Sequence, residues 1–211
     1  MAKIIAPNTP EWFAARRGLL TASRMADAMA VSKKDGKPLK GRTDLIVKLA
    51  AERLTGTAED NYVNAAMQWG IDNEAGAADA YEVVTGRLVS EAGLVMHPTI
   101  SGFGATPDRF VGTDGQLEIK CPNSTTHMLY LMNGVLPDEY APQVYTQLAC
   151  TGRAWCDFVS YDPRFQDEEL RLLVVRVDRD EAKIKEVEDA ARAVLAEVVA
   201  LHNKLLTRKA A

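Results

Sequence analysis

An α/β fold, with a central mixed sheet carrying helices on its faces, is predicted by three observations on the sequence. Apolar residues recur at three-and-four spacing over residues 43 to 56, 63 to 86 and 180 to 206, as they do on packed helices. Residues 87 to 120 break instead into short runs, RLVSEAGLVMH, FGATPDRFVG and GQLEIK, separated by glycine, proline and Asp114-Gly115, the pattern of antiparallel hairpins. Two further strand-like runs, AWCDFVSY and ELRLLVVRV, follow a helical stretch over residues 138 to 151, so strands and helices alternate and a layered α/β arrangement is the economical one.

The elements follow in order. Thr9-Pro10-Glu11 reads as an N-cap, a first-turn proline and a first-turn acid, opening a short helix through Trp12 and Arg16 that Gly18 closes. A second short helix is expected from near Thr21. Residues 32 to 42, SKKDGKPLKGR, are basic, polar and aperiodic, and read as a loop that is either solvated or in contact with phosphate. The long terminal helix carries Ile184, Val187, Ala191, Val194, Val198, Leu201 and Leu205 on one seam. Three heptads are short for a coiled coil, and packing on the helix's own domain is the stronger reading.

At 211 residues, 47% of them hydrophobic and 26% charged, the chain suits one globular domain over residues 1 to 211 with one good core. No stretch reaches the roughly 18 apolar residues of a membrane helix, and the N-terminus lacks a signal-peptide run, so a soluble cytoplasmic protein is expected. Cys121, Cys150 and Cys156 are odd in number and without CxxC spacing, which argues against a disulfide framework and a zinc site. The net charge of −4 is unfavourable for a nucleic-acid partner overall, so any such contact must come from local basic clusters.

The segment TPDRFVGTDGQLEIKCP carries the chemistry. Asp108 ends one strand-like run, and Glu118 and Lys120 lie on the next, two apart and therefore on one face. An acid and a lysine inside a core strand are costly unless paired or metal-bound. Phosphodiester hydrolysis uses such a set. Asp108 and Glu118, with the carbonyl of Ile119 as a further oxygen ligand, can hold Mg²⁺, and Lys120 can serve the attacking water. Glu74 interrupts the stripe Met67, Ile71, Ala78, Tyr81, and needs either a metal or an arginine at the helix edge as partner. Tyr140, Gln143 and Gln147 share a helical stripe. A glutamine there could bind the water, and a solvated polar face is the alternative. His97, His127 and His202 fall outside the acidic set and read as satisfied or exposed histidines.

The ordered segments WFAARRGLLTAS, QWGIDNE, TPD, LEIKCP and APQV resemble the phage lambda exonuclease (YqaJ-like) family of viral recombinases, within the PD-(D/E)xK superfamily. The resemblance spans residues 11 to about 177 and implies a restriction-endonuclease-like core. It implies that Asp108 and Glu118 ligate Mg²⁺ (or Mn²⁺ as a substitute) with the Ile119 carbonyl, that Lys120 assists the water, and that Glu74 and Gln143 complete the site beside Tyr140. It places Arg16, Ser23 and Thr106 around the 5′-phosphate of a DNA end, with Trp12 nearby. Threonine stands at position 106 where serine is familiar. The implied activity is processive 5′→3′ digestion of duplex DNA into mononucleotides, leaving a 3′ single strand for DNA recombination. A ring-shaped homotrimer, a single-strand annealing partner and a phage or prophage origin in a bacterial host are implied with it. Two rival readings are an endonuclease or resolvase of the same superfamily, and a non-catalytic scaffold that binds DNA ends.

Overall fold

The computed structural model describes residues 4–7, 9–32, 34–58 and 64–208. The chain runs β1 (Ile4–Ile5), α1 (Pro10–Arg16), β2 (Leu20–Thr21), α2 (Met25–Ala28), α3 (Lys40–Thr55) and α4 (Ala65–Thr85). It continues with β3 (Val89–Glu91), β4 (Leu94–Met96), β5 (Phe103–Ala105), β6 (Arg109–Val111), β7 (Gly115–Lys120) and α5 (Ser124–Asn133). It ends with α6 (Ala141–Thr151), β8 (Trp155–Tyr161), β9 (Leu172–Asp178) and α7 (Glu181–Thr207).

Two mixed sheets form. The larger has the order β3-β6-β7-β8-β9 and is antiparallel except at β7/β8, which pair in parallel. The smaller has the order β1-β4-β5-β2, with β2/β5 as its parallel pair. The expected α/β class holds. The segment expected as one hairpin-rich unit is divided, with β3, β6 and β7 in the larger sheet and β4 and β5 in the smaller. Gly93 permits the switch, since a Cβ there would fall 2.4 Å from the Ile5 carbonyl oxygen.

Alternation along β7 decides what reaches the site. Leu117 and Ile119 face α4, packing with Ala77, Ala78 and Tyr81. Gln116, Glu118 and Lys120 therefore face α6, whose Val144 and Leu148 pack with Cys156 of β8. A further cluster joins α2, α3 and α7 around Leu49, Phe103 and Val194. The α7 seam is buried from Ile184 through Val198 against its own chain.

Several boundaries differ from expectation, each for a local reason. Thr21 lies in β2, and a 3₁₀ turn over Ala22–Arg24 precedes α2, because the Leu20 and Thr21 backbone is drawn into pairing with Phe103 and Gly104. The basic loop ends sooner, with α3 starting at Lys40, and its ends are tied by a Val31–Pro38 bridge. The first residue expected for α4, Val63, lies outside the described residues; Asn64 caps the helix through the Met67 N–H. Helix α5 was not anticipated, although Asn123 as cap and Gly134 at φ 64° mark both its ends.

Candidate active site

Glu118 is sealed behind α6. Its Oε1 accepts from Gln143 Nε2 at 2.6 Å and its Oε2 from Gln147 Nε2 at 2.5 Å. The two glutamines are one helical turn apart, which lets both reach one carboxylate. Lys120 Nζ lies 2.5 Å from Glu118 Oε1 and 5.0 Å from the centre of the Tyr140 ring. Tyr140 stacks in turn on Phe158, the β8 neighbour of Glu118. The strand pattern thus brings Glu118, Lys120, Gln143 and Tyr140 together, as the sequence predicts. It also brings Gln147, which a solvated polar face would have left outside, and which is fully buried.

Asp108 is positioned from the side, where its Oδ2 accepts the Ile119 N–H at 2.6 Å while its own N–H donates to the Leu117 carbonyl. Glu74 pairs with Arg109, Nη1 to Oε1 at 2.7 Å, and the same nitrogen donates to the Asp108 carbonyl at 2.6 Å. The arginine partner weighed for Glu74 is therefore present. Glu74 still lines a cavity of about 520 Å³ with Asp108, Lys120 and Tyr140. Met67 and Ile71 form the rim of that cavity and are exposed, so the stripe expected to be apolar core is core only from Ala77 onward. The N-terminal half of α4 extends past the sheet that would have covered it.

The charges do not balance. Burial pushes the Asp108 carboxyl well above the usual carboxylate range, Glu118 raises it further and Lys120 pulls it back, with Glu74 again raising it and the Ile119 N–H lowering it. Burial alone would lower Lys120, but Glu118 and Asp108 outweigh it and hold the ammonium above its ordinary value. Two carboxylates, Glu118 buried and Asp108 half-buried, face one lysine, so a cation fits the charge, and the Asp108, Glu118 and Ile119 carbonyl oxygens are the hard donors that Mg²⁺ prefers. Among the described residues no group of three or more His, Cys, Asp or Glu is arranged to hold a metal, so backbone carbonyl and water would have to complete the shell. Cys121 borders the cavity, but burial followed by Glu74 and Asp108 pushes its thiol up to about 11, which leaves it protonated and a poor nucleophile at neutral pH.

Of the residues expected around a terminal phosphate, Ser23 and Thr106 lie at one end of the smaller sheet, and Arg16 and Trp12 meet on α1. Ser23 and Thr106 each lie two residues beyond the Thr21–Gly104 pair, at the same end of the parallel strands β2 and β5. Thr106 also lines a second cavity with Glu74, Asp108 and Arg109, which connects this region to the acids. The Arg16 guanidinium stacks 4.2 Å from the centre of the Trp12 ring. Burial lowers the proton affinity of Arg16, the neighbouring Arg24 lowers it further, and Glu52 opposes both.

His127 and His97 have structural roles. His127 Nδ1 meets Ser160 Oγ at 2.7 Å and its Nε2 meets the Leu170 carbonyl at 2.9 Å. His97 Nδ1 accepts two backbone N–H groups, which directs its Nε2–H to Glu188. All three cysteines are free. Arg109 was the neighbour missed by reading the sequence, with no signal beyond following Asp108; Gln147 was placed on the stripe with Gln143, but its bond to Glu118 was not foreseen.

The profile of the YqaJ-like viral recombinase domain matches residues 11–154. The alkaline exonuclease LHK-Exo of Laribacter hongkongensis is 46% identical, and the match covers 96% of this chain and 98% of that one with a TM-score of 0.88. A crystal structure of LHK-Exo in complex with dAMP matches equally well. A phage-related exonuclease from Haemophilus somnus 129PT shares the fold at 13% identity, with a TM-score of 0.67 and coverage of 89% and 96%. Comparison with curated proteins found no match. The family match and the similarity to an alkaline exonuclease identify a nuclease, a hydrolase of the DNA exonuclease class. The chain belongs to the YqaJ-like viral recombinase family. Among the described residues no helix is long and apolar enough to cross a membrane.

Proposed function

We propose that this protein is a Mg²⁺-dependent 5′→3′ exonuclease of double-stranded DNA that releases mononucleotides processively from 5′-phosphorylated ends. The observation that carries this reading is the pair of carboxylates, Glu118 buried and Asp108 half-buried, set against a single lysine beside an open cavity. Asp108, Glu118 and the Ile119 carbonyl would hold Mg²⁺, with Mn²⁺ as a substitute. When bound, the metal supplies the positive charge that polarises the scissile phosphoryl group.

The protein's own groups do the rest. Lys120, kept as an ammonium by its two acids, hydrogen-bonds the oxygen of the attacking water and orients it. Gln143 and Gln147 hold Glu118 in one rotamer, and Arg109 keeps Glu74 turned to the cavity wall. Water adds to phosphorus and the P–O3′ bond breaks, so a 5′-mononucleotide leaves and the shortened strand carries a new 5′-phosphate. A pocket for that phosphate, from Arg16, Ser23, Thr106 and Trp12, then meets each new end in turn. The dAMP held by LHK-Exo belongs to the product class such a cut releases.

A ring-shaped homotrimer acting with a single-strand annealing protein, in the cytoplasm of a bacterium carrying a phage or prophage, is the setting this reading implies. A basic channel within a ring would reconcile DNA binding with a net charge of −4. The test is digestion of 5′-phosphorylated linear duplex beside a closed circle, with Mg²⁺ and with chelator. Mg²⁺-dependent mononucleotide release from the linear DNA alone is expected. Cutting of the circle, or digestion by a folded Asp108→Ala variant at the normal rate, would overturn it.

A further inference from the structure

Among the described residues five buried side-chain polar atoms lack a hydrogen-bond partner; two of them, Arg24 Nη1 and Thr106 Oγ1, come from the segments that follow the paired strands β2 and β5, and a third, Trp12 Nε1, belongs to the ring that Arg16 covers. A buried donor left unpaired costs about 1–3 kcal/mol, and clustering of such donors points to an anion that satisfies them. Arg24 is the unassigned member. Its Nη2 is held by Glu52 Oε1 at 3.1 Å, and Glu52 is itself fixed by accepting the Gly18 N–H at 2.8 Å. The second arm of the guanidinium is left over, its orientation already set by the first.

Arg17, the other arginine in this stretch, points elsewhere. It borders a separate cavity with Arg53, Leu195 and Val199, on the α7 side. The charges that act on Arg16 are a second guanidinium, Arg24, and one carboxylate, Glu52; Arg24 also borders a cavity with Asp27, Asp44 and Lys48. A terminal phosphomonoester carries about −1.5 to −2 and three terminal oxygens, where an internal diester has one charge and two. The unpaired donors match the monoester better.

We propose that Arg24, locked in place by Glu52, is the second guanidinium of the terminal-phosphate pocket and sets the preference for phosphorylated over hydroxyl ends. The inference rests on the 5′-phosphate pocket of the proposed function. It is tested by kcat/KM on linear duplex with 5′-phosphoryl and with 5′-hydroxyl ends, for the wild type, Arg16→Gln, Arg24→Gln and Arg24→Lys. The rise in melting temperature produced by inorganic phosphate is measured in parallel. Arg24→Lys keeps a cation beside Glu52, so the fold is retained, but it has no second arm.

The expected result is at least a tenfold fall in the phosphoryl-to-hydroxyl ratio in both Arg24 variants, with a smaller phosphate-induced rise in melting temperature. A wild-type ratio in folded Arg24→Lys, where Arg16→Gln erases it, overturns the role of Arg24 and leaves the pocket standing. Equal rates on the two ends in the wild type overturn the pocket, and the role of Arg24 with it.

Discussion

Replacing Gln147 by leucine removes one hydrogen bond from a carboxylate that solvent cannot reach. Gln147 and Glu118 are 0% and 1% exposed, and the bond between them is 2.5 Å long. Leucine nearly fills the glutamine volume, so the cavity contribution is small. The second contact of the side chain, from Gln116 Nε2 at 3.5 Å, is at the limit of a hydrogen bond and adds little. What remains is a buried charged oxygen with no donor, a loss of about 2–3 kcal/mol. For a chain of this length that corresponds to a fall in melting temperature of about 5–10 °C at pH 7. Glu118 also loses one of the two glutamine restraints on its rotamer, keeping Gln143 and Lys120, so kcat is expected to fall about tenfold or more. A double-mutant cycle with Glu118→Gln isolates the interaction, because the neutral amide leaves no charge to strand. The reasoning is refuted if Gln147→Leu melts within about 1 °C of the wild type and its effect adds to that of Glu118→Gln without coupling.

Three further outcomes follow from the same geometry. Asp162 is buried, which alone would raise its carboxyl, but three hydrogen bonds from Arg164 and one from Ser124 pull it down to about 2. Its folded value is below its unfolded one, so it stabilises the fold above about pH 4 by on the order of 2 kcal/mol and loses that as pH falls from 4 to 2; acid unfolding followed by circular dichroism should begin at higher pH in Arg164→Ala. A Cβ on Gly115 would fall 2.1 Å from the Trp155 ring, which stacks against Arg176 at 3.7 Å, so Gly115→Ala should destabilise by about 1–3 kcal/mol in urea melts, and Trp155→Ala should relieve the added cost. Arg109→Ala frees Glu74 beside Asp108 and adds an uncompensated carboxylate to the cavity, so the Mg²⁺ concentration giving half-maximal rate should shift several-fold.

Much of this protein was legible in its residues because the signals are local. The α/β class, the cap of α1 at Thr9, the strands around Asp108 and the shared face of Glu118 and Lys120 follow from side-chain period and turn chemistry, which act over a few residues. The ordered motifs carried the family, and with it the choice of Asp108 and Glu118 as candidate acids. Partners distant in the chain were another matter. Arg109 and Glu74 are 35 residues apart, and Glu118 meets Gln147 across 29; no periodicity within either segment states that they touch.

Exposure was decided late for the same reason. Met67 and Ile71 have the spacing of core residues, yet lie open at the cavity because the sheet ends before it reaches them. Gln147 has the composition of a surface residue and is fully buried, because α6 is pressed on β7 where a carboxylate needs two donors. Arg24 could be named in the sequence, but its free arm exists only because Glu52, on another helix, takes the first. The sequence alone determined which chemical groups the protein has and which neighbours along the strand and helix share a face; the tertiary structure decided which charges are paired, which are left over and which meet water, because those depend on contacts between segments that only packing brings together.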